Sequence, residues 1–335
     1  MRRVVEGVVF TLLIYVDDVL VIGTEAEFER LREAFTKKFR CWITMEVSNI
    51  LSYLGMQAEL HQGYAIIDML FYIKKILKHY ENLGKQGTPG SKTTFEVDKS
   101  AEELGELEKK KFHTTVAKLL YLYKRARPDI MTVVGFLCTR IKNPTVEDKA
   151  KLMRLLEYLN RTKAYKLKVE PKGIFRVEIF VDASFGMHED SKSHAGCVVY
   201  VAGAPIVCSS KKQKCVTKSP TEAELVGLLD NLANVEVFAE FLEYVLNQKM
   251  DLPTVYQDNT SVILLVTSGG GIIRTKHLRA RMNLVKEAVM DRKMVKVAYM
   301  PTERMVADGL TKVLEGQQFL NFADLVLGKA RPEIS

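Results

Sequence analysis

Four acidic residues in the C-terminal half of the sequence stand where a strand or helix pattern begins or ends. Asp182 and Asp258 each close a β-branched, strand-like run. Glu224 lies near the start of a long helical pattern, and Asp308 opens a short helical pattern late in the chain. Acids at the ends of such elements could converge on one edge of a sheet.

A cluster of carboxylates has a definite chemical use. Carboxylate oxygens are natural ligands of Mg²⁺, which also takes up phosphate oxygens. Two such ions, about 3.5–4 Å apart, can clamp the attacking and leaving oxygens of a phosphodiester. The alternative is that acids after strands are only turn residues and helix caps. Spacing by itself leaves both interpretations open.

The helical pattern that contains Glu224 also contains Glu222. Residues two positions apart on a helix point about 200° apart, so both side chains cannot serve one site. The apolar stripe of the same helix lies between the two glutamates, so it does not indicate which of them faces the candidate site. It consists of Leu225, Leu228, Leu229 and Leu232.

The residues around these acids resemble the ribonuclease H domain of copia-type long-terminal-repeat retrotransposon polyproteins. Six segments match in family order: 181–184, 209–213, 219–225, 257–259, 275–277 and 306–312. The resemblance chooses Glu224 over Glu222. It implies two Mg²⁺ ions, with Mn²⁺ suited to the same oxygen ligands. The ligands that it implies are Asp182, Glu224, Asp258 and Asp308.

A second acidic motif lies near the N-terminus. Residues 10–23 form two apolar runs separated by Asp17 and Asp18, which predicts a hairpin with its acids at the tip. A simple polar turn is the alternative. The motif 15–18, Tyr-Val-Asp-Asp, resembles the Tyr-x-Asp-Asp signature of reverse transcriptases. The resemblance implies catalytic roles for Asp17 and Asp18, metal ligation by Asp17, and contact of Tyr15 with nucleic acid.

The polymerase half of this resemblance is incomplete. A reverse-transcriptase palm needs a further metal-binding aspartate on an upstream strand, and none of the fourteen residues before Tyr15 is an aspartate. The fingers region has no counterpart either. We therefore expect that this chain alone does not synthesise DNA.

Several residues are candidates for contact with nucleic acid. Gly55 lies in a leucine-glycine turn that resembles the primer-gripping turn of the family, although an ordinary β-turn glycine is the alternative. His277 follows a glycine run and is a candidate accessory residue for movement of water or product, although a lone histidine can equally have a purely structural role. A lysine cluster beside the third strand pattern could hold a hybrid backbone or could be a solvated loop. It comprises Lys211, Lys212, Lys214 and Lys218.

The order of patterns predicts a mixed α+β, α/β chain of three parts. Residues 1–85 are expected to be the C-terminal part of a reverse-transcriptase palm, and residues 86–170 a helical thumb or connection region. Residues 171–335 are expected to form a ribonuclease H-like domain, a mixed sheet with flanking helices, because they follow the order strand, strand, strand, helix, strand, helices, strand, helix. The polar residues 188–194 are predicted to be a loop, and the patterns of residues 69–80 and 102–124 predict helices.

Composition narrows the class of protein. The chain has 335 residues, of which 47% are hydrophobic and 27% charged. This balance is typical of soluble globular domains, and nothing in it indicates a membrane protein. Its apolar start imitates a signal peptide, but Glu6 interrupts it and no cleavage site follows. Five cysteines form no Cys-x-x-Cys pair, which favours an intracellular protein, cytoplasmic or nuclear. The net charge of +8 favours a polyanionic partner.

These observations lead to one main hypothesis and two alternatives. The main hypothesis is hydrolysis of the RNA strand of an RNA–DNA hybrid by two Mg²⁺ ions in the second half, with RNA recognised through its 2′-hydroxyls and the shape of the hybrid. The first alternative is a truncated, non-catalytic remnant of a mobile element that at most binds nucleic acid. The second is a processed subunit that pairs with other segments of the Pol polyprotein.

Overall fold

The computed structural model describes residues 2–5, 8–16, 18–39, 48–268 and 276–334. Over these residues the fold is mixed α/β with three sheets. The first is antiparallel, in the order β1 (Arg2–Val5), β2 (Val8–Tyr15), β3 (Asp18–Ile22), and helix α1 (Glu25–Phe39) follows it. Tyr15 pairs with Asp18 across the β2–β3 hairpin, so the hairpin expected from the sequence is confirmed.

The second sheet is antiparallel and lies next along the chain. Its strands are β4 (Ile50–Tyr53), β5 (Met56–His61), β6 (Tyr64–Asp68) and, from a distant segment, β7 (Leu167–Val169). Leu54 and Gly55 form the two-residue turn between β4 and β5, and both have positive φ, 49° and 69°. Such a turn matches the twist of a hairpin and favours glycine. The Tyr121 hydroxyl donates to the Leu54 carbonyl over 2.6 Å, which anchors the turn.

Four helices make up the middle of the chain: α2 (Leu70–Leu77), α3 (Glu106–Tyr123), α4 (Met131–Arg140) and α5 (Val146–Arg161). The sequence predicts that α3 starts at residue 102, which is wrong by four residues. The backbone at 102–104 is bonded to the segment before α5 instead, since the Leu104 N–H donates to the Pro144 carbonyl over 2.9 Å. The predicted α2, 69–80, is also too long at both ends.

The third sheet carries the candidate acids. Its five strands are β8 (Val177–Ser184), β9 (Lys192–Val201), β10 (Ala204–Val216), β11 (Thr254–Gln257) and β12 (Lys296–Tyr299). They lie in the order β10-β9-β8-β11-β12. The first three are antiparallel, and β11 runs parallel to both β8 and β12.

The helices of this half are α6 (Pro220–Leu246), α7 (Thr260–Thr267), α8 (Lys276–Lys286), α9 (Asp308–Thr311) and α10 (Gly316–Val326). A short π-helical turn, Glu287–Asp291, follows α8. The order of strands and helices confirms the ribonuclease H-like arrangement expected from the sequence. Within the described ranges, no helix combines the length and apolar character needed to cross a membrane.

The two faces of the third sheet pack against different partners. Successive side chains of β8 point to opposite faces. Ile179 and Val181 pack against α6 on one face. Phe180, on the other face, belongs to a larger hydrophobic cluster whose members lie between Met69 and Leu327 in the sequence. This larger cluster includes buried side chains of α2, α3, α4, α5 and α10. The middle of the chain and the third sheet therefore share one hydrophobic core. The domain boundaries at 85/86 and 170/171 stay a prediction.

The predicted loop at 188–194 is wrong in its second half. Residues 192–194 belong to β9, and His188 and His194 are buried. The two imidazoles bond to each other, with His188 Nε2 2.9 Å from His194 Nδ1. Hydrogen bonding between two polar side chains allows their burial, which a pattern of hydrophobicity does not register.

Candidate metal centre

Three of the four predicted acids meet at one edge of the third sheet. Asp182 lies in β8, Glu224 in the first turns of α6, and Asp258 directly after β11. Each offers a carboxylate oxygen, and these oxygens lie within 4.8 Å of one another. Because β8 and β11 are parallel neighbours, their carboxyl ends point to the same edge. Within the described part of the chain, no other group of acids, histidines or cysteines is arranged in this way.

Helix α6 turns its two glutamates to different sides. Glu224 is buried, accepts a hydrogen bond from Gln257 Nε2 over 3.0 Å and faces Asp182. Glu222 instead accepts from the backbone N–H of Lys218 over 2.8 Å, while the Ser219 hydroxyl accepts from the Glu222 N–H. Glu222 thus ties the backbone just before the N-cap residue Ser219 to the first turn of the helix. The structure brings Glu224, and not Glu222, to the other acids.

The fourth predicted acid, Asp308, lies at the edge of this group. It opens α9, and its charge interacts with Asp182 and Asp258, although it does not join the 4.8 Å cluster. Burial, followed by the charge of Asp182, raises the pKa of Asp308 to about 7. Lys312 stands between the acids, with its Nζ 3.1 Å from Asp308 Oδ1 and 4.0 Å from Asp182 Oδ2.

The electrostatics of the cluster favour a bound cation. Burial, then the charges of Asp182 and Asp258, raise the pKa of Glu224 to about 10. Burial also raises the pKa of Asp258, with a smaller contribution from Asp182. A divalent ion would relieve this repulsion, and carboxylate oxygens are hard ligands of the kind that Mg²⁺ and Mn²⁺ accept. The donor set therefore fits the divalent ions expected from the sequence.

Three neutral side chains hold the acids in place, and sequence reasoning gave them no role. The Thr311 hydroxyl donates to Asp182, and the Thr302 hydroxyl donates to Asp258 over 2.9 Å. Gln257 is fully buried beside Glu224. The only signal for Thr311 and Gln257 is that each lies in a segment that matches the copia-type pattern, 306–312 or 257–259. Thr302 carries no such signal.

Replacing Lys312 by methionine is expected to strengthen divalent-ion binding about tenfold, or about 1.4 kcal/mol. The ammonium already offsets part of the negative charge of Asp308 and Asp182, so an incoming ion must work against its positive charge. Calorimetric titration with Mn²⁺ measures the change. Lys142→Met, at an exposed position after α4, removes the same charge and serves as the control. Unchanged or weaker binding in Lys312→Met would contradict the expectation.

The predicted nucleic-acid lysines differ in their surroundings. Three are exposed: Lys211 and Lys214 in β10, and Lys218 just before α6. Lys212 is only half-exposed, and its Nζ lies 2.8 Å from the Asp190 carboxylate. The cluster therefore lies mostly within strand β10 rather than in a loop beside it. Lys212 is the member least available to a phosphate.

The remaining predicted residues do not join the cluster. Asp17 lies outside the described residues. Asp18 is exposed at the start of β3, and Tyr15 is 56% exposed at the end of β2. His277 lies in the first turn of α8, but its side chain is outside the described part. Gly55 occupies the β4–β5 turn, where Tyr121 contacts it.

Comparison with known proteins gives clear sequence relatives, while no model of a known family matches the chain. The Pol polyprotein from transposon TNT 1-94 of Nicotiana tabacum is 28% identical over 97% of this chain and 25% of its own length. That from transposon RE1 of Arabidopsis thaliana is 26% identical over 94% of this chain and 21% of its own length.

Among solved structures, LC11-RNase H1 in complex with an RNA/DNA hybrid is 15% identical. This match covers 40% of the present chain and 93% of that one, with a TM-score of 0.32. The chain spans a quarter or less of the length of the two curated relatives. By sequence, the chain is a homologue of the retrovirus-related Pol polyproteins of copia-like transposons.

Proposed function

We propose that the second half of this chain is a metal-dependent nuclease that hydrolyses the RNA strand of RNA–DNA hybrids. The observation that carries the proposal is the convergence of Asp182, Glu224 and Asp258 at the end of two parallel strands. Homology to Pol polyproteins supports it, because a retroelement must handle RNA–DNA hybrids when it copies RNA into DNA. Other segments of such a polyprotein are the proposed protein partners.

Each residue of the centre has a proposed role. Asp182, Glu224 and Asp258 would hold Mg²⁺, and Asp308 at the start of α9 would be a further ligand. Bound there, the ions supply Lewis-acid polarisation of a phosphate and activation of water. Thr311 and Thr302 orient Asp182 and Asp258 through their hydroxyls. The exposed lysines of β10 and its following turn hold the sugar-phosphate backbone, a contact that needs positive charge but no base sequence.

The test is cleavage of an end-labelled RNA–DNA hybrid by the purified chain in Mg²⁺, beside Asp258→Asn. Asparagine keeps the acceptor for Thr302 but loses the charge that an ion requires. We expect the wild type to cut only the RNA strand and the variant to be inactive. A folded wild type that binds hybrid without cutting it would instead support the non-catalytic nucleic-acid-binding alternative.

A further inference from the structure

Helix α9 is too short to satisfy its own backbone. In an α-helix the last carbonyls have no partner within the helix, and α9 has only four residues. Two of its carbonyls are bonded from outside. The Thr132 hydroxyl of α4 donates to the Gly309 carbonyl over 2.6 Å, and the Ser210 hydroxyl of β10 donates to the Leu310 carbonyl over 2.7 Å. Both hydroxyl-bearing side chains are buried.

Close packing fixes α9 on the side of the sheet as well. A Cβ at Gly196 of β9 would lie 2.8 Å from both the Ala307 carbonyl oxygen and Leu310 Cβ. A Cβ at Gly309 would meet the ring of Phe322 in α10 at 2.3 Å. Glycine at these two positions lets α9 lie directly on β9 and α10. The helix is therefore bounded on several sides by other elements.

Ser210 is itself oriented by a chain of buried side chains. Its hydrogen points to the Leu310 carbonyl, so its oxygen accepts from His194 Nε2, 2.7 Å away. His194 Nδ1 then accepts from His188 Nε2 over 2.9 Å. Burial lowers the pKa of His194 to about 3, which agrees with a neutral imidazole that accepts at Nδ1. In each hydrogen bond of this series, the donor is the group farther from α9 and the acceptor is the group nearer to it.

The element held in this way carries part of the proposed metal centre. Asp308 begins α9, and Thr311 at its end donates to Asp182. We infer that Thr132 and Ser210 are positioning residues that fix the location of α9 relative to β8. Helix α4, which carries Thr132, is thereby part of the support of the proposed metal centre. This inference rests on the proposed function.

The expected effect is on ion binding more than on folding. Loss of a hydrogen-bond partner that contacts a metal ligand directly typically costs about 10–100-fold in metal affinity or activity. Thr132 and Ser210 act one step further out, through the backbone of α9, so we expect the lower end of this range. Thr132→Val keeps the shape of the side chain and removes only the hydroxyl, and Thr132→Ser restores the donor. Thr139→Val is a matched control on the same helix, because the Thr139 hydroxyl donates to the Phe136 carbonyl of α4 and not to α9.

The experiment compares full-length wild type, Thr132→Val, Thr132→Ser, Thr139→Val and Ser210→Ala. Mn²⁺ affinity is measured by calorimetry, the Mg²⁺ concentration for half-maximal hybrid cleavage by kinetics, and the unfolding midpoint in urea. We expect Thr132→Val and Ser210→Ala to weaken Mn²⁺ binding at least tenfold and to raise the Mg²⁺ requirement. At saturating Mg²⁺ the cleavage rate recovers. Thr132→Ser and Thr139→Val bind as the wild type does.

Two results separate failure of the inference from failure of the proposed function. If the wild type binds Mn²⁺ and cuts hybrid but Thr132→Val behaves like Thr139→Val in affinity, the positioning role is wrong and the nuclease stands. If the folded wild type neither binds Mn²⁺ nor cuts, both are wrong. Should Thr132→Val be too unstable to titrate, Ser210→Ala and Thr132→Ser decide: a tenfold loss in the former with none in the latter supports the inference, and equal affinities overturn it.

Discussion

Replacing Asp182 by asparagine is expected to abolish hybrid cleavage, by about a thousandfold or more, while raising the stability of the ion-free protein. Asp182 is buried, and its charge contributes to the raised pKa values of Glu224, Asp258 and Asp308. An amide removes that repulsion but still accepts the hydrogen bond from Thr311. We expect a gain of about 1 kcal/mol in the free energy of unfolding.

The pH dependence of this gain follows from the pKa shifts. A carboxyl whose pKa is raised in the folded state lowers stability above its unfolded pKa, because the unfolded chain ionises more easily. Asp308, raised to about 7, should therefore make the advantage of Asp182→Asn larger at pH 8 than at pH 5. Urea unfolding in a chelator at both pH values measures it. Asp230→Asn on the exposed face of α6 is the control. A destabilised Asp182→Asn would contradict this account.

The second large effect separates the two glutamates of α6. Glu224→Gln is expected to lose Mn²⁺ binding and cleavage, since Glu224 lies with Asp182 and Asp258. Glu222→Ala is expected to keep both activities and to lose about 1 kcal/mol of stability, because it removes the acceptor of the Lys218 N–H at the start of the helix. The two changes thus affect different properties of the same helix.

Calorimetry with Mn²⁺, hybrid cleavage and urea unfolding on both variants give a direct comparison. The Glu222 variant is the matched control for the Glu224 variant, because the residues are two positions apart and carry the same charge. The assignment fails if Glu222→Ala loses metal binding while remaining folded, or if Glu224→Gln retains it.

The shared core places the middle of the chain against the sheet that carries the candidate metal centre. Phe180 of β8 and Tyr200 of β9 pack in the same cluster as α3, α4 and α5. Thr132 of α4 extends this packing to a hydrogen bond with α9. The sequence assigns no chemistry to the middle third, and none of the acids of the centre comes from it. Its contribution is to cover one face of the sheet and to support the helix that begins with Asp308.

The sequence by itself determined the local features of this protein. Alternation of apolar residues located β8 and β11, and with them the acids Asp182 and Asp258, although β8 continues two residues beyond Asp182 to Ser184. The hairpin before α1 and the order of elements in the second half also followed from local patterns. The short motifs, in their fixed order, also predicted the resemblance to retrotransposon polyproteins, and the sequence relatives agree with it despite their low identity of 28% and 26%.

Only the tertiary structure decided which side chains meet. Helical periodicity separates Glu222 from Glu224 but says nothing about which of the two faces the sheet edge. The family resemblance implied Glu224, and the position of β8 against α6 gives the physical reason. The burial of His188 and His194 and the support of α9 by Thr132 depend on partners far away in the chain. Hydrophobic patterns report the period of a single element, whereas a polar side chain becomes buried only where a distant donor or acceptor satisfies it.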